Sequence, residues 1–174
     1  RPGATSNWTD YEADCHYHDE AAAAKRHFVD SVLQERRPEL VWDLGCNRGE
    51  YSALAASAGS YVVAMDGDEQ VVGGVTRRTD MDHSRVLPLV MDLSNPSANQ
   101  GWAQTERQGL STRGPADLAL VLALVHHLPL SGGVPLGGVV DWLADNARAA
   151  VIEFVPLDDP MAQRLLATRL HQPH

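Results

Sequence analysis

A short loop of small and polar residues carries the clearest chemical signal in this sequence of 174 residues. It reads Asp43-Leu44-Gly45-Cys46-Asn47-Arg48-Gly49 and follows an apolar segment. Glycines in such a loop let the backbone approach a ligand, and the helix that follows offers unpaired N–H groups. Asp66 comes roughly 20 residues later, a separation at which a carboxylate can accept hydrogen bonds from ribose hydroxyls. The loop and Asp66 predict a site for a nucleoside-containing ligand; the competing interpretation is a plain strand-to-helix turn with a solvated Asp66.

The glycine spacing distinguishes between nucleoside cofactors. A dinucleotide fingerprint needs glycines at its first, third and sixth positions, which here hold Gly45, Asn47 and Glu50. Glu50 would also bring a carboxylate close to a pyrophosphate. The loop instead resembles the first motif of class I S-adenosylmethionine-dependent methyltransferases, Asp/Glu-x-Gly-x-Gly-x-Gly, with Asn47 in place of the central glycine.

Further segments between about residues 20 and 170 resemble the later motifs of that family in the same order. Val62 to Asp66 resembles the second motif, and Val90 to Leu93 the third, whose acid (here Asp92) usually accepts from the adenine amino group. Asp117 to Leu128 resembles the fourth-strand segment that lines the methyl-transfer site. The resemblance implies S-adenosylmethionine as cofactor and S-adenosylhomocysteine as its product. The cofactor-binding residues that it implies are Asp43, Gly45, Cys46, Asn47, Gly49, Asp66, Gly67, Met91, Asp92 and Leu93.

A narrower resemblance is to a bacterial subgroup related to nodulation-type methyltransferases. It depends on four short segments, which are Gly101-Trp102, Glu106-Arg107, Val125-His126-His127-Leu128 and Glu153-Phe154-Val155-Pro156. This resemblance does not name a substrate.

Two adjacent histidines, His126 and His127, follow the predicted fourth strand. A histidine with a pKa near 6.5 can act as a general base when a methyl acceptor must lose a proton. The alternative is that the pair packs and caps the strand, and the sequence does not choose between the two rings. Glu153 is either a site residue or a structural acid. Cys46 is interpreted as a spectator, and His16, His18, His171 and His174 show no spacing typical of a metal site.

Strands and helices alternate along the chain and would position these residues. Apolar runs predict five strands, interleaved with helices, at Leu40–Leu44, Tyr61–Met65, Val86–Met91, Ala119–Val125 and Ala150–Val155. Such alternation predicts an α/β fold, a doubly wound, mostly parallel sheet with helices on both faces. Pro88 indicates that the third strand lies at an edge, as in the strand order 3-2-1-4-5 of a Rossmann-like methyltransferase fold. Residues 1–18 are predicted to be an irregular lead or lid before a methyltransferase domain at 19–174.

The composition of the chain limits the classes of molecule that it is expected to bind. A formal net charge of -9 argues against a nucleic-acid partner, and no apolar run is long enough to span a membrane. Two cysteines give no disulfide framework, which favours a cytoplasmic location. The Asp/Asn/Ser-Pro-Pro-aromatic tetrapeptide of nucleic-acid amine methylation is absent after the fourth strand. A small-molecule or peptide-like acceptor is expected, with oxygen somewhat ahead of nitrogen, and a homo-oligomer is left open. The alternatives are a non-catalytic, methyltransferase-like cofactor-binding protein and a nicotinamide-dependent oxidoreductase.

The end of the sequence offers no strands for the antiparallel hairpin with which class I methyltransferases usually finish. After Pro160 it contains one predicted helix, Met161 to Leu170, and then His171-Gln172-Pro173-His174. The hairpin is therefore expected to be missing. The fifth strand should then have an open edge, or one that another chain covers.

Overall fold

The computed structural model describes residues 19–78, 85–130 and 132–156, with residues 159, 162, 163 and 167. The predicted lead at 1–18 lies outside these residues. So does most of the helix predicted near the C-terminus, of which Ala162, Gln163 and Ala167 are helical. The chain forms two compact units, Arg1–Met91 and Asp92–His174.

The first unit alternates helices with parallel strands, as the sequence predicts. Its elements are α1 (Asp19–Arg36), β1 (Leu40–Leu44), α2 (Glu50–Ser57), β2 (Tyr61–Asp66), α3 (Glu69–Arg78) and β3 (Val86–Val90). β2 pairs in parallel with both β1 and β3. Most apolar residues of β1 and β2 are almost fully buried, among them Trp42 and Met65, whereas Tyr61 at the start of β2 is exposed. A parallel strand covered on both faces reads as such a continuous apolar run.

Helix α3 differs from its predicted form, a weak helix interrupted at Gly73-Gly74. It is continuous from Glu69 to Arg78. Val71, Val72 and Val75 are buried along it, and this packing outweighs the low helix propensity of glycine.

The second unit contains shorter elements. They are a 3-10 turn (Trp102–Gln104), α4 (Leu110–Arg113), β4 (Leu118–Val121), α5 (His127–Leu130), α6 (Leu136–Asn146) and β5 (Ala150–Ile152). β4 and β5 pair in parallel. The prediction that β4 reaches Val125 is wrong, because the strand ends at Val121 and Ala123 lies at a φ of 52°, outside the strand region. β5 is likewise shorter than predicted.

The strand order is β3-β2-β1-β4-β5, which confirms the predicted order. Pro88 lies in β3, an outermost strand, where its missing N–H costs no ladder hydrogen bond on the open side. In the described part of the chain β5 forms the other edge of a five-stranded sheet. Among the described helices, none combines the length and the apolar character that crossing a membrane would require.

Candidate functional site

The loop between β1 and α2 is shaped by left-handed backbone conformations. Gly45, Asn47 and Gly49 have φ angles of 75°, 44° and 74°. The backbone N–H groups of Gly45 and Cys46 both donate to the carbonyl oxygen of Met65, each at 2.9 Å. These two bonds tie the start of the loop to the end of β2. Glycine, and to a lesser extent asparagine, is the residue type that adopts such angles at low cost.

Gly49 ends the loop as the N-cap of α2, where a side chain would be crowded. A Cβ atom placed there would lie 3.1 Å from both γ-carbons of Val75. The positive φ adds backbone strain to that close contact. The close approach of the loop to α3 therefore depends on this glycine.

The Asp66 carboxylate at the end of β2 accepts a hydrogen bond from the middle of the loop. Its Oδ2 accepts the backbone N–H of Asn47 at 3.0 Å, and its Oδ1 accepts that of Asp68 at 3.0 Å. Burial raises the pKa of the Asp66 carboxyl above its usual range, and the two backbone hydrogen bonds oppose that rise. A carboxylate has about four acceptor positions, so each oxygen can still accept a ligand hydroxyl.

The Asn47 side chain holds a polar atom whose hydrogen-bonding capacity is unused. Its Oδ1 is buried and accepts no hydrogen bond from the described part of the chain. A buried acceptor in that state costs about 1–3 kcal/mol. A ligand that donates a hydrogen bond to this oxygen would remove the cost.

Asp43 lies deeper than its predicted role in cofactor binding suggests. It is 2% exposed, and its Oδ2 accepts the hydroxyl of Ser52 at 2.5 Å. Burial raises the pKa of Asp43 to about 6, and the bond from Ser52 opposes this rise. Ser52 is a residue that the sequence analysis missed, because no periodicity or motif connects it with Asp43.

Cys46 also lies in the loop, and its thiol is buried. Burial, with the nearby carboxylates of Asp43 and Asp66, raises the pKa of the thiol far above its usual range. The thiol stays protonated at neutral pH, so it is unsuited to nucleophilic attack. This agrees with its interpretation as a spectator.

The remaining residues predicted to bind the cofactor follow β2 and β3. Gly67 is exposed, and the N–H of Met91 donates to the carbonyl oxygen of Asp66 at 2.8 Å. Asp92 and Leu93 begin the second unit. Oδ1 of Asp92 accepts the hydroxyl and the N–H of Ser94, at 2.6 and 2.9 Å, and these bonds lower the pKa of the exposed carboxyl. Asp92 is thus an ionised acceptor at neutral pH.

The two histidines lie in the second unit at the start of α5. Both are buried, and their ring centroids lie 4.1 Å apart. Burial and the neighbouring His126 ring lower the pKa of His127 to about 4. Burial also lowers the pKa of His126, but Asp159 and Glu153 oppose this shift. At neutral pH both rings are therefore uncharged.

His126 differs from its neighbour in its hydrogen bonding. Neither of its ring nitrogens has a hydrogen-bond partner in the described residues. A neutral imidazole offers one donor and one acceptor, so the ring has both available for a ligand.

Glu153 is half-buried just after β5, and its N–H donates to the carbonyl oxygen of Val121 at 3.1 Å. Over the described ranges, no group of three or more His, Cys, Asp or Glu side chains could hold a metal ion.

Comparison with known proteins adds a sequence relative. The chain is 37% identical over 168 residues to the nodulation protein NoeA of Rhizobium meliloti (strain 1021), an alignment that covers 96% of the chain and 35% of NoeA. The chain thus spans about a third of the length of this relative. No family model matches it.

Solved structures share its fold at low sequence identity. The bifunctional kinase-methyltransferase WbdD superposes with a TM-score of 0.58 at 18% identity, over 98% of this chain and 35% of WbdD. The plantazolicin methyltransferase BpumL, in complex with SAH, gives a TM-score of 0.54 at 11% identity, over 82% of this chain and 50% of BpumL. The chain has the class I S-adenosylmethionine-dependent methyltransferase fold. The resemblance to these methyltransferases, and to nodulation-type proteins, is confirmed.

Proposed function

We propose that this chain binds S-adenosylmethionine and transfers its methyl group to a small-molecule or peptide-like acceptor, with oxygen favoured over nitrogen. The observation that best supports S-adenosylmethionine as the cofactor is the contact between Asp66 and Asn47. A half-buried carboxylate with unused acceptor positions lies beside a buried oxygen that has no partner in the described residues. A ligand rich in hydroxyl and ammonium donors, as this cofactor is, fits that set of acceptors. The structural neighbour BpumL is bound to SAH, which supports the same ligand class.

The first turn of α2 favours this cofactor over a dinucleotide. Glu50 begins the helix, and its carboxylate forms an ion pair with Arg26 at 2.7 Å. A pyrophosphate at this N-terminus would meet that carboxylate, whereas a ligand without phosphate would not. The position of the Glu50 carboxylate therefore supports the proposal against a nicotinamide cofactor.

Three side chains of the described residues would hold different parts of the cofactor. Asp66 would accept the ribose hydroxyls, and the Asn47 side chain would accept one further donor of the ligand. Asp92, through its ionised carboxylate, would accept from the adenine amino group, as the family resemblance implies. When bound, the cofactor supplies a methyl group on a sulfonium, and an acceptor lone pair displaces the sulfur, which leaves with the bonding electrons.

His126 is our choice for the base that takes the proton of the acceptor. A base works best when its pKa lies close to the working pH, and the pKa of His127, at about 4, is too low. Glu153 and Asp159 counteract the lowering for His126. The family resemblance likens the segment from Asp117 to Leu128, which contains His126, to the one that lines the methyl-transfer site, and this supports the same choice.

Calorimetric titration with S-adenosylhomocysteine tests the cofactor assignment. The unaltered chain is expected to bind it, and Asp66→Ala should weaken binding by about 2–3 kcal/mol because a charged acceptor is lost. Glu69→Gln is the matched control, since this exposed carboxylate lies three residues away on α3. An Asp66→Ala variant that binds as tightly as the control would refute the site, and binding of NAD in place of S-adenosylhomocysteine would refute the cofactor.

Transfer of a labelled methyl group tests the activity. The chain is incubated with methyl-labelled S-adenosylmethionine and separate pools of hydroxyl-bearing and amine-bearing small molecules. We expect label in the hydroxyl pool ahead of the amine pool. Tight cofactor binding with no labelled product in any pool would instead favour a non-catalytic cofactor-binding protein.

A further inference from the structure

A hydrogen bond between two buried side chains joins the two elements that flank the loop. Asp43 lies in β1, in register with Ala64 of β2, and Ser52 lies in the first turn of α2. The Ser52 hydroxyl donates to Oδ2 of Asp43 at 2.5 Å. Ser52 is 1% exposed and Asp43 is 2% exposed, so water does not compete for the bond.

The loop between them is held at its α2 end by a hydrogen bond from the Gly49 N–H to the Cys46 carbonyl oxygen at 2.8 Å and by one from the Arg78 side chain to the Arg48 carbonyl oxygen. Its first residues are tied to β2 by the hydrogen bonds from Gly45 and Cys46 to Met65. At the other end, the N-cap residue Gly49 provides no side-chain hydrogen bond to α2. Among these contacts, the bond from Ser52 joins the first turn of α2 directly to a side chain of β1.

We propose that Ser52 is a positioning residue for cofactor binding: its hydroxyl holds the Asp43 carboxylate, and this contact sets the position of the loop from Gly45 to Gly49. The inference rests on the proposed function, because it concerns the same cofactor site. Ser52 is buried and would not touch the cofactor itself. Its effect reaches the ligand through Asp43 and through the first turn of α2.

The charges around Asp43 give the proposal a pH signature. Burial raises the pKa of the Asp43 carboxyl, the hydrogen bond from Ser52 of α2 lowers it, and the charge of Asp66 on β2 raises it further. Burial and the Asp43 carboxylate raise the pKa of the nearby Cys46 thiol, and the positive charge of Arg78 on α3 lowers it. The Ser52 hydroxyl favours the ionised carboxylate, because the hydrogen bond is stronger to a charged acceptor. Without the Ser52 hydroxyl, Asp43 takes up its proton at a higher pH. As the pH is lowered, cofactor affinity should therefore begin to fall at a higher pH than in the unaltered chain.

Titration of S-adenosylhomocysteine into the whole chain between pH 5 and 8 tests this inference. Ser52→Ala is expected to weaken binding about 10-fold at pH 7 and to move the midpoint of the pH dependence upward by half a unit or more. Ser52→Thr keeps a hydroxyl and should restore both values. Ser57→Ala is the matched control, because that exposed hydroxyl on the same helix donates to the carbonyl oxygen of Ala53 within α2.

Two results would overturn the inference while leaving the proposed function intact. One is unchanged affinity of Ser52→Ala at every pH. The other is an equal loss for Ser52→Ala and Ser52→Thr with no movement of the midpoint, which would mean that Ser52 only fills space. If the alanine variant fails to fold, Ser52→Cys, a near-isosteric and much weaker donor, takes its place with the same expectation. No binding by the unaltered chain would refute the proposed function itself, and the inference with it.

Discussion

Replacing Asp43 by asparagine should make the fold more stable at neutral pH, although it changes a buried hydrogen-bonded residue. Burial raises the pKa of this carboxyl from 3.8 to about 6 in the folded chain. A raised folded pKa means that the folded state binds the proton more tightly than the unfolded state does. The stability that Asp43 contributes is thus fully present below pH 3.8 and is lost as the pH rises through about 6.

The size of the effect follows from the shift. A rise of somewhat over two pH units, at about 1.4 kcal/mol per unit, corresponds to about 3 kcal/mol. Asparagine is uncharged and keeps an oxygen that can accept the Ser52 hydroxyl. The free energy of unfolding of Asp43→Asn should therefore exceed that of the unaltered chain by up to about 3 kcal/mol at pH 7.5, and by much less at pH 4.5.

Urea unfolding followed by circular dichroism at half-unit steps between these pH values measures the difference. Asp141→Asn is the control, because it removes an exposed carboxylate from α6 and should give a difference near zero throughout. The reasoning is refuted if the difference between Asp43→Asn and the unaltered chain does not change with pH. It is also refuted if the variant loses stability as the pH rises.

Two further predictions concern the histidines and the glycine loop. His126→Ala should lower turnover on a labelled acceptor about 100-fold or more while S-adenosylhomocysteine affinity stays within threefold, whereas His127→Ala should chiefly lower the melting temperature. Turnover by the unaltered chain should fall only below pH 6.5, since the pKa of His126 is lowered and the base acts in its neutral form; equal rates per folded molecule in both variants would return the pair to a packing role. Gly49→Ala should cost at least 1–2 kcal/mol of unfolding free energy through its positive φ and the 3.1 Å contact with Val75, whereas Gly137→Ala, with open space on α6, should be neutral or stabilising. Equal unfolding free energies for the two glycine variants would contradict that account.

The pattern of apolar runs predicted the five strands and their alternation with helices, although not the short helices α4 and α5. β1 has the bounds that the sequence indicates, and a single proline placed β3 at an edge. Local signals work here because a parallel strand buried on both faces must be apolar along its length. The sharp turn of the loop could also be predicted from its glycines, because glycine adopts positive φ angles at low cost.

Other features depended on contacts between residues that no local pattern connects. Helix α3 runs through two glycines because its valines are buried, and β4 stops short because Ala123 turns out of the sheet. Both outcomes reflect tertiary packing that overrides local propensity.

The candidate site divides in the same way. The sequence by itself determined the types and spacing of the candidate residues, namely the loop from Gly45 to Gly49, the acid Asp66 and the histidine pair. Only the tertiary structure decided the state of each group. It buried Asp43 against Ser52, left the Asn47 oxygen without a partner in the described chain, and gave the two histidines different surroundings. The physical reason is that charge and hydrogen bonding depend on burial and on neighbours brought together by folding, whereas residue type and spacing are properties of the chain alone.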